Sequence, residues 1–468
     1  MRSIQLLHLI VLTTTLACAG CGGGDSGSST ETSSAEADAA AREAIAVPLG
    51  VGCGWQAVSD ADTANVLYPD EAAKYWLAVI PHLPGARLRI DGLYPHARYF
   101  SFNVYDPLLR PVDAVADEQL APTVAGNNPY TDAGARTGGN YRAYVAFTPK
   151  PDRPAANTLY SGFTNAGNNV VPNPTMTVLA YRIYVPADGL RGEVRLPQLT
   201  LETSDGSRTL GTLPNCDGPL LPNLGGTVPG LGLNPVLASN SYPEVLSSLP
   251  YPIAAYPPKS SVFYGLPDSY LGIVNNVSPV PAPVQASQIP LTGGGGFLSN
   301  KDNAYTVTAF SRSHGNVFLL RARAPHYRTQ SGVPFRSEDM RYWSVCQNEF
   351  ATQRYVACAR DEQIALDTQG FYTVVVSDAA NRPANATAAN GFAWLPWGAY
   401  PDGLLLYRQL LAADRFSPAI KNVPQGTAPA QIMGDYLPRG AYCTRSLFES
   451  AGASAANVFA ACAATATP

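Results

Sequence analysis

Apolar and polar residues alternate at every second position over many short stretches of this chain. In the stretch RYFSFNV from Arg98, Phe100, Phe102 and Val104 fall on one face, with Tyr99, Ser101 and Asn103 on the other. That is the period of a strand with one face in a core. ARLRIDGL, YRAYVAF and VLAYRIYV, and further on AYTVTAF, NVFLLRARA, RYWSV, FYTVVVS and LLLYRQLL, are equally short. They are rich in β-branched and aromatic residues and are bounded by Gly, Pro, Asn or Asp. The pattern predicts an all-β protein of antiparallel β-sandwich, jelly-roll-like domains. Helix is expected only over residues 40–46, 70–79 and 444–461.

The strand pattern occurs twice. RYVACARDEQIA from Arg354 aligns with RPVDAVADEQLA from Arg110, and Arg341-Tyr342-Trp343-Ser344-Val345 echoes Arg98-Tyr99-Phe100-Ser101-Phe102. Tyr75, Gly85, Pro95 and His96 stand at the intervals of Tyr305, Gly315, Pro325 and His326, and LAYR ending at Arg182 answers LLYR ending at Arg408. A repeat of this length reads as two copies of one domain. The first sandwich is placed at residues 51–215 and the second at 301–425, the latter with an insertion between Thr329 and Met340. Between them, residues 216–300 form a Pro/Gly-rich connector too long for an ordinary loop. Its Tyr251, Tyr256, Phe263, Tyr264 and Tyr270 imply packing against both domains, with a freer part near 225–232. A C-terminal segment, 426–468, carries a short helix.

The opening residues, MRSIQLLHLIVLTTTLACAGC, combine an early Arg2, an apolar run and small residues ending on a cysteine, so residues 1–20 read as an export signal. Ala19-Gly20-Cys21 is similar to the lipobox of bacterial lipoproteins, which makes Cys21 the expected lipidation site, with Cys18 in the place usually held by Leu. Residues 21–50, in which Cys21 is followed by GGGDSGSSTETSS, read as a tether holding the folded part off the membrane. The expected location is the bacterial cell envelope, at an outer membrane or the cell surface, with the membrane as partner through the lipid. Six further cysteines, an even number in an exported chain, imply disulfides. Cys346 and Cys358 lie on two arms of one predicted hairpin, and their counterparts Asn103 and Ala114 both lack sulfur. Cys53 and Cys216 bracket the first domain, and Cys443 and Cys462 flank the C-terminal segment. No two of these six have the short spacing of a zinc knot, so no metal and no cofactor is expected. A formal charge of −4 over 468 residues, without Lys/Arg clusters, argues against a nucleic-acid partner.

Candidate chemistry is sparse. The triplets Asp117 to Gln119 and Asp361 to Gln363 invite a two-carboxylate hydrolase, but neighbouring strand residues face opposite ways and both domains carry the triplet. They read as turn or ion-pair anchors, with Arg98 and Arg341 as their partners. Histidines 82, 96, 314 and 326 read as singly bonded to nearby loops. Ser26 in Gly24-Asp25-Ser26-Gly27 resembles a protease nucleophile but sits in the tether. The second domain alone has Trp394, Trp397, Tyr400 and Asp402 within nine residues, a segment expected as a loop. Such rings stack on a sugar while the acid takes a hydroxyl hydrogen; the alternative is that the tryptophans close the end of the core.

MRYWSVCQNE, RYVACARDEQIALDTQGFYTVVVSD, RPANAT and FAWLPWG followed by DGLLLYR resemble a widespread group of exported bacterial proteins of unknown function. More distantly, they are similar to paired domains of unknown function with a Trp-Leu-Pro motif that fold as β-sandwiches. The resemblance spans most of residues 60–440 and implies a fold without an activity. The first half departs from it, with NTLYSGF from Asn157 in place of FAWLPW from Phe392. The expectation is therefore a membrane-tethered lipoprotein that binds a glycan or envelope component without catalysis. An exported hydrolase of polysaccharide or ester using Glu338, Asp339 or Asp402, or a structural envelope protein, are the alternatives.

Overall fold

The computed structural model describes residues 53–62, 65, 68–107, 109–132, 134–166, 169–216, 254–264, 298–327, 338–350 and 353–465. The signal, Cys18, Cys21, the tether, the helix expected at 40–46, most of the connector with Tyr251 and Tyr270, and most of the insertion after Thr329 lie outside them.

In the first half the strands are β1 (Ala57–Ser59), β2 (Ala73–Pro81), β3 (Ala86–Leu93), β4 (Ala97–Tyr105), β5 (Pro111–Ala116), β6 (Asn140–Ala146), β7 (Thr158–Tyr160), the hairpin β8 (Phe163–Ala166) and β9 (Asn169–Pro172), β10 (Met176–Pro186), β11 (Gln198–Thr203) and β12 (Thr209–Leu213). In the second half they are β13 (Ser260–Phe263), β14 (Asn303–Ser311), β15 (Val317–Arg323), β16 (Met340–Glu349), β17 (Tyr355–Arg360), β18 (Phe371–Ser377), β19 (Phe392–Pro396), β20 (Asp402–Ala412) and β21 (Arg439–Cys443). One sheet of each half has the order β1-β2-β10-β4-β5 or β13-β14-β20-β16-β17, and the other β12-β11-β3-β6-β7 or β21-β15-β18-β19. Apart from β12, which has no counterpart among the described strands of the second half, these are the same topology, down to the parallel pairing of β7 with β6 and of β19 with β18. The fold is all-β, and its halves are two versions of one sandwich.

Each half encloses its own core, the first around Trp76, Phe100, Phe102 and Tyr181, the second around Trp343, Tyr372, Tyr407 and Trp397. Alternation explains the filling. Phe100, Phe102 and Val104 enter the first core, as their period predicts. The opposite face of β4, however, is as buried as the first. Tyr99 packs there with Tyr184, Tyr342 and Leu410, so the polar face of one half lies against the polar face of the other. The two sheets that share this seam lie between the two outer sheets. Three small helices, α1 (Pro429–Met433), α2 (Arg445–Ser450) and α3 (Ala455–Ala464), follow the last long strand. The second and third pack Phe448, Val458 and Phe459 on the outer sheet of the second half. The matching sheet of the first half instead presents a charged face, where Arg87 and Arg89 pair with Glu202 and Arg142 with Asp91.

Three expectations are corrected here. Residues 70–79 are not a helix. From Ala73 on they form β2, whose Trp76, Ala78 and Ile80 face the core and whose Tyr75, Leu77 and Val79 face the other way, while its backbone pairs with β10 throughout. The second sandwich is not confined to 301–425: β13 from the connector is its edge strand, and β21 extends its outer sheet to Cys443. Residues 444–461 hold two helices, broken around Gly452.

Three disulfides, Cys53–Cys216, Cys346–Cys358 and Cys443–Cys462, join the six cysteines in the expected pairs. Such bonds belong to an oxidising, exported compartment. Cys346 and Cys358 stand directly opposite one another on β16 and β17, as Asn103 and Ala114 do on β4 and β5. Among the described residues no helix is long and apolar enough to cross a membrane.

Candidate functional site

The repeated charged residues meet in the seam, and they meet in trans. Arg98 from the start of β4 donates to Asp361 (2.7 Å) and Glu362 (2.7 Å) of the second half. Arg341, its equivalent on β16, donates to Asp117 and to Glu118 (2.7 Å) of the first half. Each aspartate also accepts a backbone N–H from its own half, Asp117 from Phe100 (2.9 Å) and Asp361 from Trp343 (3.2 Å). The carboxylate is thus fixed by its own sandwich and offered to the other. Both guanidinium–aspartate pairs are almost wholly buried, while the two glutamates reach solvent. These acids are ion-pair anchors that hold the halves together.

Burial acts on the protonation of the two aspartates. It pushes the Asp361 carboxyl up to about 6, with the Arg98 guanidinium and the N–H donors of Trp343 and Glu362 pulling back. Burial raises Asp117 and Asp302 as well. A carboxyl whose folded value exceeds its unfolded one binds the proton better when folded. Its contribution favours the folded state below pH 4 and is lost as pH rises through about 6. Asp361→Asn is therefore expected to remove up to about 3 kcal/mol of pH-dependent stability between pH 4 and 7, by about 1.4 kcal/mol per unit. Urea midpoints of both proteins across that range check this; parallel curves would contradict it.

The four residues expected to bind a ligand do not form an exposed loop. Trp394 lies in β19 and Asp402 opens β20. Trp397 is 1 % exposed and sits in the second core, edge-on to Phe310 at 4.7 Å and under the Arg312 guanidinium at 5.2 Å. Its Nε1–H donates to Pro401 O (3.1 Å). Asp402 is equally buried. The reason is register: pairing of β19 with β18 directs Leu395 and Trp397 inward. Trp394 and Tyr400 are partly exposed, and Trp394 carries the Arg382 guanidinium 4.4 Å over its ring while donating to Ser377 Oγ (3.0 Å).

The hydrolase acids do not converge either. Met340, next to Asp339, pairs with Ala412 at one end of β20, and Asp402 begins the other end. Ten residue steps of strand separate them, roughly 33 Å at about 3.3 Å per residue. Of the histidines, His96 faces Glu193 (3.2 Å), His326 faces Asp339 (3.7 Å), and His314 bonds Ala254 O (3.0 Å). His82 has the most worked surroundings: Nδ1–H donates to Asn173 O (2.9 Å), Nε2 accepts from Thr177 Oγ1 (2.8 Å), and Ser161 Oγ lies 3.1 Å from the same nitrogen. Burial lowers its pKa, which keeps the imidazole neutral. The Ser–His spacing is that of a nucleophile and its base. Yet Ser161 is buried, and its own N–H and that of Gly162 are taken by Ala146 O and Thr148 O. Neither of these two N–H groups is free for an oxyanion, and the cluster ties down the end of the first sandwich.

No protein-family profile matches this chain, and no curated protein does. Among solved structures it is similar to an uncharacterised protein of Burkholderia cenocepacia, at 14 % identity over 87 % of this chain and 86 % of that one, with a TM-score of 0.44. It is also similar to the VPA0106 protein of Vibrio parahaemolyticus, at 11 % identity over 87 % and 96 %, with a TM-score of 0.36.

Sequence reasoning missed a second layer of the seam. Arg182 and Arg408 are held by each other's halves: Arg182 donates to Leu298 O, and Arg408 to Tyr68 O. Tyr68 and Leu298 are equivalent positions, and both carbonyls are presented by left-handed backbone, at φ 55° and 51°. The repeated Tyr75/Tyr305 and LAYR/LLYR were the signal for this layer.

Proposed function

We propose that this is a lipid-anchored protein of the bacterial envelope that binds an envelope component, a glycan above all, and does not turn it over. One observation supports the non-catalytic part most directly. The carboxylates and arginines best suited to acid–base chemistry are used twice, at equivalent places, to clamp one half to the other. The remaining acids named for hydrolysis stand at opposite ends of β20. The anchor rests on Ala19-Gly20-Cys21 and the tether behind it. The ligand surface rests on what remains exposed of the aromatic segment, Trp394 with Arg382 and the neighbouring Tyr400.

Two measurements test this. Palmitate labelling in a bacterial host is expected for the wild type and lost in Cys21→Ser. In a glycan-array or envelope pull-down, Trp394→Ala is expected to weaken capture about tenfold, the loss of one stacked ring. Unchanged capture would remove Trp394 from the binding surface, and turnover of any substrate in a polysaccharide and ester panel would overturn the non-catalytic reading.

A further inference from the structure

What lies over the Trp394 ring is a cation. The indole is fixed by its Nε1–H bond to Ser377 Oγ (3.0 Å) and packs against the small core of Phe392 and Phe448. The Arg382 guanidinium is centred 4.4 Å from the ring centroid, where the apolar face of a sugar would otherwise stack. A ligand approaching that face meets the guanidinium before the indole. Arg382 is exposed, yet it is held at several points. Its backbone N–H closes the short 3₁₀ turn Ala379–Asn381 by a bond to Ala379 O (3.3 Å), its Nη2–H donates to Ala386 O (3.1 Å), and the indole supports its head group. The buried Pro383 follows it and restricts the chain on the other side.

The acids of this surface are engaged elsewhere. Asp378 pairs with Arg312 (2.7 Å), and Glu449, which accepts from Ala384 N–H (2.9 Å), pairs with Arg445 (2.9 Å). Arg382 has no carboxylate within ion-pairing distance among the described residues, and Ala386 O is its side chain's one acceptor there. Most of its fork of N–H donors is therefore open to solvent. The first half supplies a contrast. It repeats the Arg-Pro-Ala at Arg153, Pro154 and Ala155, but the parallel pairs that match Leu159 with Leu395 put Thr158 where the second half has Trp394. Arg153 is exposed and has no hydrogen bond, ion pair or ring contact among the described residues. The arginine is common to both copies, and only the second gives it a platform.

We propose that the envelope ligand is an anionic glycan, and that the Arg382 fork, carried on Trp394, takes its carboxylate or phosphate group. This rests on the binding role given above to the same surface. A loose surface arginine loses side-chain freedom when it grips an anion. Arg382 has already lost much of that freedom, so less of the binding free energy is offset by ordering it. A planar guanidinium also meets a carboxylate or phosphate through two parallel charge-assisted bonds, which a neutral sugar hydroxyl does not match. Trp394 acts here as the support of the fork, so its removal weakens capture through Arg382 as well as through the ring itself.

Titration of the full chain with galacturonate oligomers and with a phosphorylated mannan tests this, the methyl ester of the first and the dephosphorylated form of the second serving as neutral partners. The wild type is expected to bind one charged form about tenfold more tightly than its neutral partner, and the form preferred names the group as carboxylate or phosphate. Arg382→Gln should abolish the preference, Arg382→Lys should retain part of it through charge without the fork, and Arg153→Gln should leave it whole. Equal binding of charged and neutral forms, binding of none of them, or a preference that survives Arg382→Gln would each overturn the proposal. If neutral glycans are captured and capture is lost only in Trp394→Ala, the glycan reading stands and the anionic one falls; an array on which nothing is captured removes both. Arg382→Gln is expected to melt with the wild type, as an exposed side chain allows, and should it melt lower, the wild-type comparison of charged with neutral forms decides.

Discussion

Arg341→Ala is expected to lower the stability of the whole chain by about 3–5 kcal/mol, the usual cost of leaving one buried charge without its partner. Asp117 would keep its bond from the Phe100 N–H but lose its cation inside the protein, and Glu118 would lose its anchor. Both halves are expected to report the loss together, because the pair spans them. Adding Asp117→Asn to Arg341→Ala should restore part of it, since the amide needs no counter-charge. Arg98→Ala should behave alike through Asp361 and Glu362, and the two losses should add if the clamps act separately. Urea denaturation of the singles and the double measures all of this. A loss under 1 kcal/mol for Arg341→Ala would mean that the clamp orients the halves without holding them.

Much of this architecture was legible in the sequence, and the failures have physical causes. Period-two alternation marked most long strands, and the repeat marked the duplication, because both are local or exact properties of the chain. Residues 70–79 misled because Glu71, Ala72, Ala73, Lys74 and Ala78 favour helix locally, whereas pairing with β10 is a tertiary term that outweighs propensity. Short edge strands such as β13 and β21 have too few residues to show a period. The Asp-Glu-Gln triplets were readable as anchors, but not as anchors in trans. Each aspartate bonds the strand of its own half that carries the matching arginine, so the spacing within one copy is equally compatible with a pair inside that copy. Only the packing of two polar sheet faces decides between them. A strand with one apolar and one polar face looks half-exposed from sequence, and here the polar face is covered by its own duplicate.

Trp397→Ala is expected to cost about 3–5 kcal/mol, as a large aromatic removed from a packed core does. Register explains why the cost belongs to the fold. Leu159 and Leu395 match in the parallel pairs of the outer sheets, so Trp397 takes the place that Ser161 has in the first half, and Arg312 the place of His82. One sandwich closes its end with hydrogen bonds among His82, Ser161, Thr177 and Asn173. The other closes it with an indole wedged against Phe310 beneath a guanidinium, which adds a cation–π contact to the buried area. Removing the ring leaves a cavity and exposes Arg312, whose bonds to Gly398 O, Tyr400 O and Asp378 tie down the same turn. Trp394→Ala should cost roughly 1–2 kcal/mol by comparison, because its ring is only partly covered. The pair separates the two roles that were open for this aromatic segment. If Trp397→Ala left stability within 1 kcal/mol and abolished ligand capture, the indole would be a binding residue after all. A large stability loss for Trp397→Ala, with capture lost only in Trp394→Ala, assigns closure of the core to the first ring and recognition to the second.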